Sequence, residues 1–189
     1  MQFYASNKHL LDSIFKRFKV VPVQAFSVVA PEVGHYAVWR DVMETSAMKL
    51  FYAEMGTDYA DFSTGYFQMK VSFIEKVEEA IEANGPAELK TILAYPIGDK
   101  QKIREERLRR MERLDYQACY LASFFRIIET SLKPKDIQEC AGLYNGGFWK
   151  TKEEVARLRA LKSFPSKGNV RQRFSYSEIA GLYYKALTR

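Results

Sequence analysis

The chain carries only two cysteines in 189 residues, Cys119 and Cys140. Two are too few for a disulfide framework, and they lack the spacing of a metal site. Buried free thiols are expected of them, rather than one bridge between neighbouring helices. No apolar run reaches the length of about 18 residues that a transmembrane helix needs, so no membrane span is expected. Met1 to Val21 has neither a continuous apolar stretch nor a small-residue cleavage site, and does not read as a signal peptide. A periplasmic or cell-envelope location is therefore expected only if a leader is missing from this sequence. No strand-rich segment, internal repeat or low-complexity tract is present, which leaves a mainly helical reading.

What is present suits one folded domain. The 47% hydrophobic and 28% charged content is ordinary for a globular protein, and the length supports a sizeable core. The net charge of +6 is concentrated in Lys100–Arg113 and Lys150–Arg173. Such an excess suits an anionic partner: nucleic acid, an anionic membrane or an acidic wall polymer. Within Lys100–Arg113, Glu105, Glu106 and Glu112 interleave with the basic residues, as in a solvated helix face carrying ion pairs. The loop from Phe164 to Phe174 has an aromatic at each end but no nucleic-acid-binding motif, so no nucleic-acid partner is expected.

The spacing of apolar residues predicts about eight helices. The first carries Leu10 or Leu11, Ile14, Phe15 and Phe18 on one face, with Ser6 as its cap. Val23 to Ala30 is apolar nearly throughout, the mark of a central, buried element. Pro31 disfavours its continuation, so Glu32 falls near its end. Trp39 to Met55 reads as a long helix ended by Gly56, with Glu44 inside it. Ser72 with Glu75, Thr151 with Glu154 and Ser175 with Glu178 have the capping-box spacing. A long helical stretch runs from Gly98 to Leu132 with a break near Asp115. Asp136 caps a helix from Ile137 to Leu143, and Gly146-Gly147 stops it.

The rest is organised around Asp61 to Lys70. Ser63-Thr64-Gly65 reads as a turn, after which Tyr66, Phe67 and Met69 surround one amide, Gln68. An amide among apolar residues needs a hydrogen-bonding partner if buried, and makes a specific contact if it lines a cleft. Glu32 has two readings as well. Burial would raise its pKa and make it a proton donor near neutral pH; at a helix end it would otherwise lean into solvent.

Three signals occur in order: Glu32 ending an apolar helix, the Gly65–Met69 turn, and Leu143-Tyr144-Asn145-Gly146-Gly147 ending a late helix. This arrangement resembles the lysozyme-like superfamily, and most closely the soluble-type lytic transglycosylases. In that family a catalytic Glu ends a helix, a Gly-Leu-Met-Gln-type turn lines the cleft, and an Ala-Tyr-Asn-x-Gly motif closes it. The resemblance implies a single lysozyme-like domain over 1–189, with its motif-bearing core at 22–149 and a helical extension at 150–189. A small hairpin or irregular element is expected around 58–70. The implied activity is cleavage of the β-1,4 bond between N-acetylmuramic acid and N-acetylglucosamine in peptidoglycan. Glu32 is the implied acid, with Glu44 as the alternative. Gln68, Tyr66, Phe67, Tyr144 and Asn145 are the implied substrate-binding residues, the Tyr144 hydroxyl also holding the catalytic Glu. Lys70 and Lys150 would attract the anionic wall. No metal or cofactor is implied. A hydrolase would need a second acid, for which Asp58 and Asp61 are placed. The sequence departs from the family in having Val33, where Ser usually follows the catalytic Glu. The competing expectation is a non-catalytic glycan-binding or scaffolding protein on the same fold.

Overall fold

A computed structural model describes residues 2–35, 48–95, 98–162 and 173–189. The fold is mainly helical with one small hairpin. In chain order the elements are α1 (Gln2–Arg17), α2 (Pro22–His35), α3 (48–55), β1 (Ser63–Thr64), β2 (Met69–Lys70), α4 (Val71–Asn84) and α5 (Ala87–Leu93). They continue with α6 (Lys100–Glu112), α7 (Leu114–Ser131), α8 (Ile137–Gly146), α9 (Lys152–Ala160) and α10 (Tyr176–Leu187). The strands are antiparallel, with Ser63 opposite Lys70 and Thr64 opposite Met69. Among the described residues no helix is long and apolar enough to cross a membrane.

The core follows the apolar pattern. Leu11, Phe15 and Phe18 of the first helical segment are buried while Leu10 is exposed, which settles the face that α1 turns inward. In α2, Ala25, Phe26, Val28, Val29 and Ala30 are all within 1% of complete burial. This helix is central, enclosed by α1, α7, α8 and α10. Helix α7 is its counterpart, burying Ala118 to Phe125 without interruption. Cys119 and Cys140 are buried free thiols, as expected.

Several local expectations are corrected. Helix α1 begins at Gln2, so Ser6 lies inside it and does not cap it. Helix α4 begins at Val71 without a capping box. Glu75 is instead drawn to long-range partners: it accepts from the Tyr52 hydroxyl at 2.8 Å, Thr57 Oγ1 at 3.1 Å and Arg107 Nη1 at 2.9 Å. Asp61 takes over the N-terminus of α4, accepting from the Ser72 amide at 3.1 Å. The boxes at Thr151/Glu154 and Ser175/Glu178 form as the spacing predicts.

Helix α6 is only partly the solvated charged face expected of it. Glu106 pairs with Arg109 and Arg110 along the helix. Arg107 and Arg110, however, point inward and are buried. Arg107 donates to Glu78 through both Nε and Nη2, at 2.9 and 2.6 Å, and to Glu75 and Tyr52 through Nη1. Arg110 donates to the carbonyls of Leu93 and Ala94, each at 2.9 Å, with its guanidinium over the Tyr95 ring. A planar fork of donors matches both a carboxylate and paired carbonyls, which is why arginine fills these positions. Part of the basic excess is therefore spent inside the fold.

Candidate functional site

Glu32 lies in the last turn of α2. Pro31 sits inside this helix, which nevertheless runs one turn further, to His35. A proline costs one amide donor and crowds the preceding turn. Here α2 is held from outside: the Tyr176 hydroxyl of α10 donates to the Val28 carbonyl at 2.8 Å. Tyr183 of the same helix brings its hydroxyl to 3.0 Å from where a Cβ on Gly34 would stand.

The carboxyl is half-buried. Among the described residues it makes no ion pair and no hydrogen bond, so burial acts on it unopposed. Burial pushes its pKa from 4.5 up to about 7, because an ion removed from water loses its hydration. The hydroxyls of Tyr144 and Tyr176 are raised well above the ordinary phenol range, first by burial and then by the neighbouring Glu32 charge. Both rings thus stand within the electrostatic reach of Glu32, stacked on each other at 6.4 Å.

Opposite Glu32 is the Gly65–Gln68 turn of the hairpin. Gly65 has φ +75°, and a Cβ there would run into the Gln117 side chain and the Met111 carbonyl. Only glycine fits. Phe67 is the anchor of the turn, completely buried, and both its backbone groups are tied down by side chains. Its amide donates to Gln117 Oε1 at 2.9 Å, and its carbonyl accepts from the Tyr144 hydroxyl at 2.7 Å. Gln117 Nε2 in turn donates to the Met111 carbonyl at 2.9 Å. Helices α7 and α8 therefore grip the tip of the hairpin from two sides. Gln68 follows in the left-handed region, φ +48°. A non-glycine residue there is strained, and such strain persists only where its surroundings enforce it. Gln68 Nε2 donates back to the Gly65 carbonyl at 2.8 Å.

Between these elements lies a cleft of about 360 Å³. Glu32, Gln68, Tyr144 and Asn145 all line it. Four of the sequence-predicted site residues are thus brought together. Two are not. Phe67 is fully buried and offers no face to a ligand; its ring belongs to the core. Tyr66 lies away from this lining, with its ring at 5.1 Å from Phe3 of α1. The expected role of Tyr144 is also corrected. A phenol has one proton to donate, and Tyr144 gives it to Phe67, so it fixes the turn rather than donating to Glu32. Helix α8 extends through Gly146, which turns Tyr144 into the core and leaves Asn145 exposed at the cleft. Glu44, the alternative acid, lies outside the described residues, as does most of the helix expected from Trp39.

The candidates for a second acid separate. Asp58 is exposed and does not line the cleft. Asp61 lines it, but is engaged with the Ser72 amide and, at 3.4 Å, with Lys70 Nζ. Among the described residues no group of three or more His, Cys, Asp or Glu is arranged to hold a metal ion.

Comparison of the chain with known protein families, curated proteins and solved structures finds no match. The site rests on its own geometry. That geometry adds three residues which the motifs did not single out. Gln117 pins the turn, and its signal was present: a lone amide inside the apolar run Tyr116–Ile128. Trp149, just past the glycines, lines the cleft. Tyr176 lies in the region that the resemblance left unexplained.

Proposed function

We propose that this protein is a peptidoglycan-cleaving glycosidase of the lytic transglycosylase type, with Glu32 as its acid and base. The observation that carries the reading is Glu32 itself: a half-buried carboxyl without an ion pair among the described residues, with its pKa pushed up to about 7, opening on a cleft faced by Gln68 and Asn145. A carboxyl that keeps its proton at neutral pH can protonate a glycosidic oxygen. The C1–O bond breaks, its electron pair goes to the leaving-group oxygen, and Glu32 is left ionised. It then takes the proton of the C6 hydroxyl while that oxygen bonds to C1, closing a 1,6-anhydro ring. One carboxyl suffices, which accords with the engagement of Asp61 in capping α4. The amides of Gln68 and Asn145 supply donors and acceptors suited to acylamino and hydroxyl groups of the sugar. The rigid turn holds Gln68 in place, and a fixed donor is worth more than a mobile one.

The test is muropeptide release from purified peptidoglycan, analysed by mass spectrometry, for wild type, Glu32→Gln and Glu44→Gln. Anhydro-muropeptides that disappear with Glu32→Gln and persist with Glu44→Gln support the reading. The value of kcat/KM should fall as pH rises through about 7, where the acid loses its proton. Loss only with Glu44→Gln would move the acid to that residue. Reducing-end products would indicate hydrolysis. Absence of products, with glycan still bound, would identify a non-catalytic binding protein using the same cleft.

A further inference from the structure

Where α9 ends and α10 begins there is a cavity of about 330 Å³, apart from the cleft of Glu32. Ser177, in the first turn of α10, is part of its wall and is only 3% exposed. Among the described residues its Oγ is the one buried side-chain polar atom without a hydrogen-bonding partner. Buried polar atoms are nearly always satisfied, and an orphan calls for a water or an ion to complete it. Two cations line the same space. Arg159, in the last turn of α9, lies along α8 because Gly142 leaves room for it: a Cβ on Gly142 would stand 2.2 Å from its Cγ and 2.4 Å from its Cδ. The stem is thereby fixed, yet among the described residues the guanidinium makes no hydrogen bond and no ion pair. Lys162 stands 3.7 Å from Glu178, the one acid of the lining. Glu178 also accepts from the Ser175 amide at 2.7 Å, so its carboxylate is engaged on both sides. The charge of Arg159 is left as the surplus of the cavity, and the positive end of the α10 dipole adds to it.

We infer that this cavity is a binding site for a phosphate group. The Arg159 fork matches two of its oxygens, and the start of α10 favours its charge. The Ser177 hydroxyl meets a third oxygen by a single rotation about its Cα–Cβ bond. A planar carboxylate would give both its oxygens to the fork and leave the serine unsatisfied, whereas a tetrahedral oxyanion serves both. A water would satisfy Ser177 and leave Arg159 uncompensated. Inorganic phosphate and a small phosphate monoester share this chemistry. The site gives part of the basic excess of Lys150–Arg173 an anionic partner. It would also join the end of α9, which packs on α8, to the start of α10, which packs on α8 and α2. Tyr176, the residue before Ser177, donates to the Val28 carbonyl one turn before Glu32. A phosphate held here would therefore steady the wall beside Glu32. The inference does not depend on the chemistry proposed for that residue.

The experiment titrates sodium phosphate into the full chain by calorimetry, at fixed ionic strength with chloride as the balancing anion, and records Tm with and without phosphate. One phosphate should bind per chain. Arg159→Ala should weaken it by about tenfold or more, and Arg159→Lys, which keeps the charge but not the fork, by about fivefold. Ser177→Ala should weaken it by about fivefold. This variant also removes a hydroxyl that is unsatisfied in the free protein. Its Tm without phosphate should therefore match or exceed that of wild type, while its gain in Tm with phosphate shrinks. A serine with a purely structural role would do the reverse, lowering the phosphate-free Tm and leaving the gain intact, and that result would overturn the site. Glycerol 3-phosphate binding more tightly than phosphate would assign the site to small esters, and equal or weaker binding would assign it to inorganic phosphate. Absence of phosphate binding, or an affinity unchanged in Arg159→Ala, would overturn the inference.

Discussion

Replacing Glu32 with Gln should stabilise this protein, and only at the upper end of the pH range. Moving a carboxyl from 4.5 to about 7 corresponds to about 3 kcal/mol between its protonated and charged forms. Below pH 4.5 the side chain is protonated in the folded and unfolded chains alike, and Glu and Gln should differ little. Between 4.5 and about 7 the unfolded chain ionises while the folded one keeps its proton. The folded state then binds more protons, so wild-type stability falls as pH rises. Above about 7 both states are ionised and the full cost of removing this charge from water is present. Gln has the shape of the protonated acid and never ionises, so Glu32→Gln should be more stable than wild type by about 3 kcal/mol at pH 8. For a chain of this length that is a rise in Tm of about 6–12 °C. Urea unfolding of both proteins at intervals from pH 4 to 8.5 measures it, and all other titrating groups cancel in the difference. A gap that does not change with pH, or a variant less stable than wild type at pH 8, would refute the burial argument and remove the basis for Glu32 as a neutral-pH acid. The measurement requires no substrate, so it tests the acid independently of the glycan.

Three further outcomes follow from the contacts. Gln117→Leu strands the Phe67 amide and the Met111 carbonyl, and should cost about 2–5 kcal/mol in chemical denaturation; a loss below about 1 kcal/mol would mean that the turn is held in another way. Gly65→Ala forces a side chain into the left-handed region and against Gln117. It should cost more than about 2 kcal/mol, and it should weaken glycan binding, since Gln68 bonds back to the Gly65 carbonyl. Arg107→Ala leaves Glu78 nearly buried without its cation, at a cost of about 3–5 kcal/mol by thermal unfolding. Adding Glu78→Gln should recover part of that loss, and no recovery would refute the pairing as the cause.

The motifs made the site legible because each is a local signal with one dominant use. A proline and an acid after an apolar run, a glycine that only a tight turn needs, and paired glycines after a helix were all readable along the chain. Glu32, Gln68 and Asn145 accordingly reach one cleft. Where a residue had two uses, the long-range one prevailed. Ser72 and Glu75 have the same spacing as Thr151 and Glu154, yet only the second pair caps its helix. Glu75 meets Tyr52, Thr57 and Arg107 from distant segments, while the acid at Thr151 meets nothing stronger than its own helix end. Tyr66 and Phe67 were readable as aromatics of the turn. Which of them faced outward depended on Gln117 and Tyr144 gripping the Phe67 backbone, contacts that span 50 and 77 residues. The inward arginines of α6 escaped notice for the same reason: a basic stretch reads as surface until its carboxylate partners are placed.

The C-terminal helix changes the meaning of the whole arrangement. Positions 150–189 read as an extension behind a complete motif-bearing core. In the fold, α10 packs on α2 and on α8, the two helices that carry Glu32 and Tyr144. Tyr176 is buried, stacks on Tyr144 and bonds to the α2 backbone one turn before Glu32. A carboxyl keeps a high pKa only while water is excluded from it and no cation approaches. Helix α2 alone, with Glu32 in its last turn, would not exclude water from it. Where α10 meets Glu32 it supplies the buried ring of Tyr176. The chemistry proposed for Glu32 therefore depends on a segment that carries none of the motifs, and a core cut at residue 149 would keep the three motifs while losing the surroundings that give Glu32 its proton.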